Sequence, residues 1–262
     1  MKKITLKLGK IAASVAFWIA VWFVISYSVD HEIIVPSPLS VAVSLWHIIF
    51  SGNFWISSAS SLARIILGVG ISIIIGCFAA YVIWRSKILN TLLSPVLSII
   101  KATPVASFII IAWLWFDTSV LPIFISSLIV IPIITANVSQ GLLAVDNELA
   151  EVSKLYKLSP IKRLFKLYIP SIAPYFLAAC KASLGMACKA SVAAELIVLS
   201  KNSIGKEIYD SKLMLETADV FAWTVVIILL SIIVEKFLML SLNYIGRKTK
   251  LLPQKGETYA EN

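Results

Sequence analysis

Charged residues are scarce in this chain. Only 14% of its 262 residues are charged, whereas 59% are hydrophobic, and the mean hydropathy is +0.92. Soluble domains usually carry about 25% charged residues, which keep their surfaces in water. The composition therefore excludes a soluble globular domain and indicates a chain that lies in a lipid bilayer.

Residues that build catalytic and metal centres are also few. The two histidines, His31 and His47, share one predicted loop without a ligand cluster around them. The three cysteines, Cys77, Cys180 and Cys188, fall in apolar runs without metal-type spacing and are expected to pack as small apolar residues. The sequence has no GxxxxGK[ST] motif, and at membrane depth no histidine lies near an acid or a cysteine. These absences disfavour an intramembrane enzyme and a chain that itself binds a nucleotide through a phosphate-binding loop.

Long apolar runs dominate what remains. A bilayer span needs about 20 mostly apolar residues. The runs that qualify are six: residues 11 to 29, 65 to 84, 92 to 116, 119 to 138, 172 to 198 and 220 to 245. Lys101 and Pro104 interrupt the third run, which predicts a kink or a displaced boundary there. Residues 36 to 63 are expected to form a loop with an interfacial helix at Val41 to Phe50. Residues 1–262 are thus predicted to form one all-α membrane domain of six transmembrane helices, without a linker or a repeat.

Basic residues are distributed unevenly around these spans. With the N-terminus inside, the outer segments hold four of the 23: Arg64, Lys201, Lys206 and Lys212. Four more lie within spans: Lys101, Lys181, Lys189 and Lys236. The inner segments hold the other fifteen: Lys2, Lys3, Lys7, Lys10, Arg85, Lys87, Lys154, Lys157, Lys162, Arg163, Lys166, Arg247, Lys248, Lys250 and Lys255.

This asymmetry predicts a multi-pass protein of the cell membrane with both termini in the cytoplasm. The first apolar run, 19 residues long, exceeds the core of a signal peptide, so we interpret it as an uncleaved span. The net charge of +9 is spread along the predicted cytoplasmic edges. It therefore indicates contact with membrane lipid rather than with nucleic acid.

A polar, basic segment, residues 141 to 174, separates two of the apolar runs. Asp146 is placed to cap a first short helix, and Ser159 with Pro160 to start a second. The second helix has apolar residues at helical spacing, and Pro170 and Pro174 are expected to stop that pattern. An amphipathic helix-turn-helix between two spans cannot cover both of its own faces. It predicts a partner, either lipid headgroups or another protein.

The same segment resembles a known family. Glu151, Lys157, Leu167, Ile169 and Pro170 are similar to the EAA loop of permease subunits of bacterial ATP-binding-cassette importers, in which a Glu-Ala-Ala run precedes a glycine and later Ile-x-Leu-Pro. Two alanines are replaced here by valine and serine, and Lys157 replaces the glycine.

Further stretches resemble the nitrate, sulfonate and taurine branch of those permeases, and their order along residues 35 to 245 strengthens the resemblance. They are Pro36-Ser37-Pro38, Ser61-Leu62-Ala63-Arg64 with Gly68, and Ala193-Ala194-Glu195.

The resemblance implies a type I importer permease fold with a cytoplasmic coupling loop at 141–174 and a core at about 60–245. The chain would be the non-catalytic permease subunit of an ATP-driven importer. Two such subunits would form a dimer, and an external solute-binding protein would deliver the substrate. Two cytoplasmic ATPase subunits would bind the ATP and Mg and grip the loops. The coupling residues implied are Glu151, Leu155, Lys157, Ser159, Leu164, Phe165 and Pro170. A small anion such as a sulfonate, taurine or nitrate is the expected substrate, with a thiamine-pyrimidine precursor as the alternative. A carrier without ATP is less favoured, because no internal repeat is visible in the sequence.

Charged residues within the fifth span are candidates for the translocation pathway. A charge at membrane depth costs roughly 2.5 to 3.5 kcal/mol on insertion scales and normally faces protein or water. Lys181, Lys189 and Glu195 meet this description, and Lys189 and Glu195 are each expected to find a partner on another helix. A purely structural hydrogen-bonding role stays open for them. Glu235 and Lys236 are expected to be interfacial anchors.

Overall fold

The computed structural model describes residues 2–248, so Lys250 and Lys255, which the charge count placed inside, lie outside the described residues. Every regular element within that range is helical. The elements are α1 (Lys2–Val29), α2 (Pro38–Ile49), α3 (Gly52–Arg85), α4 (Lys87–Ala102), α5 (Val105–Ala112), α6 (Leu121–Leu143), α7 (Asn147–Leu155), α8 (Pro160–Arg163), a π turn (Leu164–Tyr168), α9 (Ile169–Val198), α10 (Ile204–Leu213) and α11 (Thr217–Lys248).

Among residues 2–248, five stretches are long and apolar enough to cross a bilayer: α1, α3, α6, the run from α8 through α9, and α11. A sixth span is present if α4 and α5, bent by 103° at a short break, count together. The all-α fold and the interruption near Lys101 and Pro104 are thereby confirmed. The bend has a local cause, because the ring of Pro104 disfavours helical backbone at the preceding residue, and Thr103 is extended at φ −77°, ψ 133°.

The prediction that residues 36 to 63 form a loop is wrong for its second half. Helix α2 forms as expected, with Ser37 as its N-cap, but α3 already begins at Gly52 and runs for 34 residues. Its first turns are rich in serine, which ended the apolar run in the sequence. Ser57 and Ser61 are buried, and both hydroxyls donate to carboxylates, of Glu207 and Glu195. Side-chain partners, rather than apolar composition, hold this end of α3 in the protein.

The expectation that Pro170 and Pro174 stop the helical pattern is also wrong. The chain stays helical from Pro160 to Val198. The π turn precedes Pro170, and the Ile169 N–H bonds to the carbonyl of Leu164, five residues back. A π turn shifts the register of the backbone bonds, so a proline that lacks an N–H is accommodated where the chain returns to α-helical bonding.

The core forms where α6 packs against both α3 and α9. A stripe of small buried residues on α3, Gly68, Ser72, Gly76 and Ala80, recurs every four positions and faces α6. Such stripes let helix backbones approach closely within a membrane. The hydroxyls of Ser72 and Ser127 cross this interface, donating at 3.1 Å to the carbonyl of Ser127 and at 3.2 Å to that of Gly68. Few residues in the apolar stretches of α1 and α11 are buried, so these two helices lie at the periphery.

Candidate functional sites

Within the predicted coupling loop at 141–174, residues 147–168 form a helix-turn-helix that is built by local capping. We call residues 147–168 the coupling segment, after the role predicted for them. The carboxylate of Asp146 accepts the N–H of Glu148 at 2.8 Å and begins α7. The hydroxyl of Ser159 accepts the N–H of Lys162 at 3.3 Å and begins α8. Both capping residues were predicted from the sequence. These caps satisfy N–H groups that a helix start leaves unpaired. Local hydrogen bonds therefore fix where both helices of the helix-turn-helix begin.

The turn between these helices is closed by a left-handed lysine. Lys157 has φ +48°. Its N–H bonds to the carbonyl of Lys154 at 2.9 Å, and the N–H of Leu158 bonds to the carbonyl of Ser153 at 3.1 Å. This pair of bonds is the Schellman motif, which usually has glycine at the left-handed position. The segment therefore keeps a glycine-type turn although its sequence has lysine there.

The coupling segment exposes apolar side chains that nothing in the described chain covers. Leu155 is 80% exposed, Tyr156 78%, Ile161 69% and Phe165 55%. The carboxylate of Glu151 is exposed on α7 among them. Pro170, at the start of α9, is half-buried. The remaining predicted coupling residue, Leu164, is 46% exposed. Apart from Pro170, which lies two residues beyond it, the predicted coupling residues thus lie on one helix-turn-helix.

One face of α9 carries the two lysines that the sequence analysis selected. Lys181 and Lys189 are exposed, while Ala179, Ser183 and Ala187 on the opposite face are buried. Eight residues separate the lysines, or about 12 Å along the helix, and the space that a side chain at Gly185 would enter is open. Within residues 2–248 the ammonium of Lys189 has no ion-pair partner, so the expected partner on another helix is not found among these residues. The cause is its position on the outward face of α9.

Glu195 does find a partner on another helix, as expected. Its carboxylate is fully buried, and its Oε1 accepts a hydrogen bond from the Arg64 guanidinium at 3.0 Å. Its Oε2 accepts from the hydroxyl of Ser61 at 2.7 Å and from the N–H of Gly205 at 3.3 Å. The Ser61 hydroxyl also accepts the N–H of Ile204 at 2.9 Å. We call these five residues the α3–α9–α10 junction.

Sequence reasoning missed Arg64 as the partner of Glu195, because it placed Arg64 in an outer loop. A usable signal was present in two of the three short stretches that carried the family resemblance. One ends in Arg64 and the other in Glu195, and opposite charges at membrane depth are expected to pair. Gly205 carried no comparable signal, since its role depends on a contact across the turn after α9.

Relatives of this chain are transport permeases. It is 27% identical over 231 residues to a Bacillus subtilis protein whose name assigns it to aliphatic sulfonate transport, covering 85% of this chain and 81% of that protein. It is 26% identical to a nitrate import permease of Synechococcus elongatus, covering 74% of this chain and 73% of the relative. A bicarbonate transport permease of Synechocystis is 28% identical over 61% of this chain and 57% of its own length.

A solved structure shares the fold. It is the crystal structure of an amino acid ABC transporter with histidines, with a TM-score of 0.54 and 16% identity, covering 72% of this chain and 90% of that one. The sequence profile of binding-protein-dependent transport system inner membrane components matches residues 72–251, well over half of the chain. The chain therefore belongs to this family of inner membrane transport components and is a permease subunit of an ATP-binding-cassette importer.

Proposed function

We propose that the coupling segment, residues 147–168, is the surface through which a cytoplasmic ATP-binding subunit drives this permease. The observation that carries the proposal is the exposed apolar patch on an otherwise polar helix-turn-helix, with Leu155 and Tyr156 about four-fifths exposed. Apolar groups on short helices outside the spans need lipid headgroups or another protein to cover them, and membership of an ATP-binding-cassette importer family favours a protein. The segment has the amphipathic form that enters a groove on such a partner.

The segment is continuous with a membrane span, which supports a mechanical role for it. Helix α8, the π turn and α9 form one helical run from Pro160 to Val198. A displacement of the patch by the ATP-binding subunit would therefore move α9 as a rigid element. In this proposal the partner binds ATP and Mg, and this chain contributes no covalent chemistry. Both termini and the coupling segment lie in the cytoplasm, and an external solute-binding protein delivers the substrate.

The translocated solute is proposed to be a small anion, and the exposed face of α9 is proposed to line its path. Lys181 and Lys189 supply positive charge on a face whose neighbours include Ala182 and Gly185. Two spaced cations attract an anion without trapping it, as conduction requires. Relatives named for nitrate, sulfonate and bicarbonate transport support this substrate class. The enclosed carboxylate of Glu195 does not face open space, so we confine the pathway proposal to the two lysines. A second copy of the chain would close the path from the other side.

Reversal of the charge at Glu151 tests the coupling surface. Glu151→Lys should leave the permease in the membrane, weaken its co-purification with the ATP-binding subunit at least tenfold, and abolish uptake driven by the solute-binding protein. The expected cause is a like charge or a lost hydrogen bond at the subunit contact. Co-purification and uptake at the unmodified level would contradict the assignment.

A matched control is available at the turn between α10 and α11. Glu216 is also exposed, and it lies far from the coupling segment along the chain. Glu216→Lys should leave co-purification with the ATP-binding subunit unchanged. An equal loss in both variants would show that the effect comes from net charge and not from the coupling segment.

A further inference from the structure

The α3–α9–α10 junction is saturated by bonds between separate elements. Both oxygens of the buried Glu195 carboxylate accept hydrogen bonds, one from Arg64 and the other from Ser61 and Gly205. The second terminal nitrogen of Arg64 donates to the carbonyl of Lys201 at 3.0 Å, in the turn between α9 and α10. The charged groups therefore bind α3 to the end of α9, to the following turn and to the start of α10.

The backbones of α9 and α10 are also in close contact at the junction. A side chain at Gly205 would place its Cβ 2.5 Å from the Cβ of Glu195 and 2.5 Å from the N of Leu196. Two further bonds flank this contact. The hydroxyl of Ser57 donates to Glu207 at 2.9 Å, one turn away on both α3 and α10. The hydroxyl of Ser200 donates to the carbonyl of Thr118, in the loop before α6.

We propose that Arg64 and Glu195 are positioning residues that keep α3, the end of α9 and α10 together as one rigid body throughout the transport cycle. The proposal rests on the proposed function, because it concerns a cycle driven by a partner ATPase. A buried ion pair resists separation, since each charge would be left unpaired away from water. When the permease changes state, movement should therefore occur at other interfaces, and Lys189, six residues before Glu195, should move with this body.

A cross-link between α3 and α10 tests whether the junction stays closed. Cysteines at Ser57 and Glu207, in the assembled complex without Cys77, Cys180 and Cys188, leave Arg64 and Glu195 intact. A short bifunctional methanethiosulfonate reagent, which spans more than a direct disulfide, should join them at rates within twofold without nucleotide and with Mg-ATP plus vanadate. The cross-linked complex should keep more than half of its ATP hydrolysis. A tenfold slower reaction in either state, or loss of hydrolysis after cross-linking, would overturn the proposal.

Variants of the ion pair test whether these charges cause the rigidity. Glu195→Gln retains an acceptor for Ser61 and Gly205 but turns an amide group toward Arg64. Because the amide group and the guanidinium are both donors, the bond between α9 and α3 is lost. The cross-linking rate should then differ at least fivefold between the two states. Arg64→Lys keeps the charge and should keep the rate independent of state. If Glu195→Gln does not assemble, Arg64→Gln carries the same expectation. A rate that stays independent of state after either charge is lost would show that the pair does not hold the junction.

Two controls separate this inference from its premises. Asp219→Ala removes the acceptor of the hydrogen bond from Ser44 that links α2 to α11, and it should leave the cross-linking rate between 57 and 207 unchanged. A reporter cysteine at 189 records whether ATP changes the state of the permease at all. Loss of that response would count against the proposed function, whereas a normal response with a state-dependent 57–207 rate would count against the junction alone.

Discussion

Four helices within residues 2–248 end next to a residue that is left-handed and is not glycine, and the first of these residues is Asp30 after α1, with φ 50°. Lys157, Leu199 and Leu215 have φ values of 48°, 52° and 60°. At Lys157 and Leu215 the two N–H bonds of a Schellman motif follow. A side chain in this conformation costs roughly 1 kcal/mol, and here the backbone bonds offset that cost. Because glycine is the usual signal for such an ending, composition does not locate these turns. Only the family resemblance indicated the turn at Lys157, and helix α10 before Leu215 was not predicted.

Lys157→Gly should therefore be neutral or should stabilise the assembled complex by up to about 1 kcal/mol, because it relieves a left-handed side chain. Thermal unfolding of the purified complex measures the effect. Lys154→Gly is the matched control, since Lys154 lies in the last turn of α7. Glycine in a helix lowers stability by roughly 0.5 to 1 kcal/mol relative to alanine, so this change should lower the midpoint temperature of unfolding. Destabilisation at Lys157 as large as at Lys154 would show that the Lys157 side chain makes a contact of its own.

Gly205→Ala should destabilise the permease, by roughly 1 to 3 kcal/mol, because the new methyl group would meet the backbone of α9 and force the junction apart. Gly185→Ala provides the contrast, since nothing lies within 4 Å of a Cβ at that position. It should stabilise α9 by up to about 1 kcal/mol. Equal midpoints for the two variants in thermal unfolding would be inconsistent with the close approach at Gly205.

At the scale of the element, the close packing of α3 on α6 depends on glycine, which has no side chain to keep the two helices apart. A methyl group at Gly76 would lie 2.8 Å from Cβ of Ile134, so the helices would have to separate, whereas Gly70 on the same helix has nothing within 4 Å. Gly76→Ala should cost roughly 1 to 3 kcal/mol, and Gly70→Ala should gain up to about 1 kcal/mol. Thermal unfolding compares them, and a stable Gly76→Ala variant would contradict the packing.

The spans and the kink could be predicted from the sequence because apolar length and proline act locally. The start of α3 could not, since its serines are held by carboxylates 134 and 150 positions away. The continuity of α9 through Pro170 could not either, because a π turn leaves no mark in the hydrophobic pattern. The predicted caps Asp146 and Ser159 are confirmed, since a cap depends on neighbours within three residues.

At the scale of the whole molecule, one helical run connects three features. From Pro160 to Val198 it includes the second half of the coupling segment, the exposed face with Lys181 and Lys189, and Glu195 in the junction. The lysines and the coupling residues were chosen from the sequence, and their roles stay predictions. The connection between them is a property of the fold, because only the unbroken helix joins the two ends.

Substitution of Lys189 separates charge from packing within this arrangement. Lys189→Gln should impair uptake without dissociating the complex, because the exposed ammonium is proposed to meet the anion. Lys189→Arg should retain part of the activity, since it keeps the charge but changes its shape and hydration. Uptake assays with the assembled complex provide the measurement. Full uptake by the glutamine variant would rule out a role for this charge.

The most direct test of the account is the accessibility of position 189. A single cysteine there, with Cys77, Cys180 and Cys188 replaced, should react with a small charged methanethiosulfonate reagent, and Mg-ATP should change the rate when the ATP-binding subunit is present. A cysteine at Ala187, which is fully buried, should stay unreactive as the control. If position 189 remains unreactive in every state of a complex that hydrolyses ATP, Lys189 does not line the path, and the proposed anion pathway is contradicted.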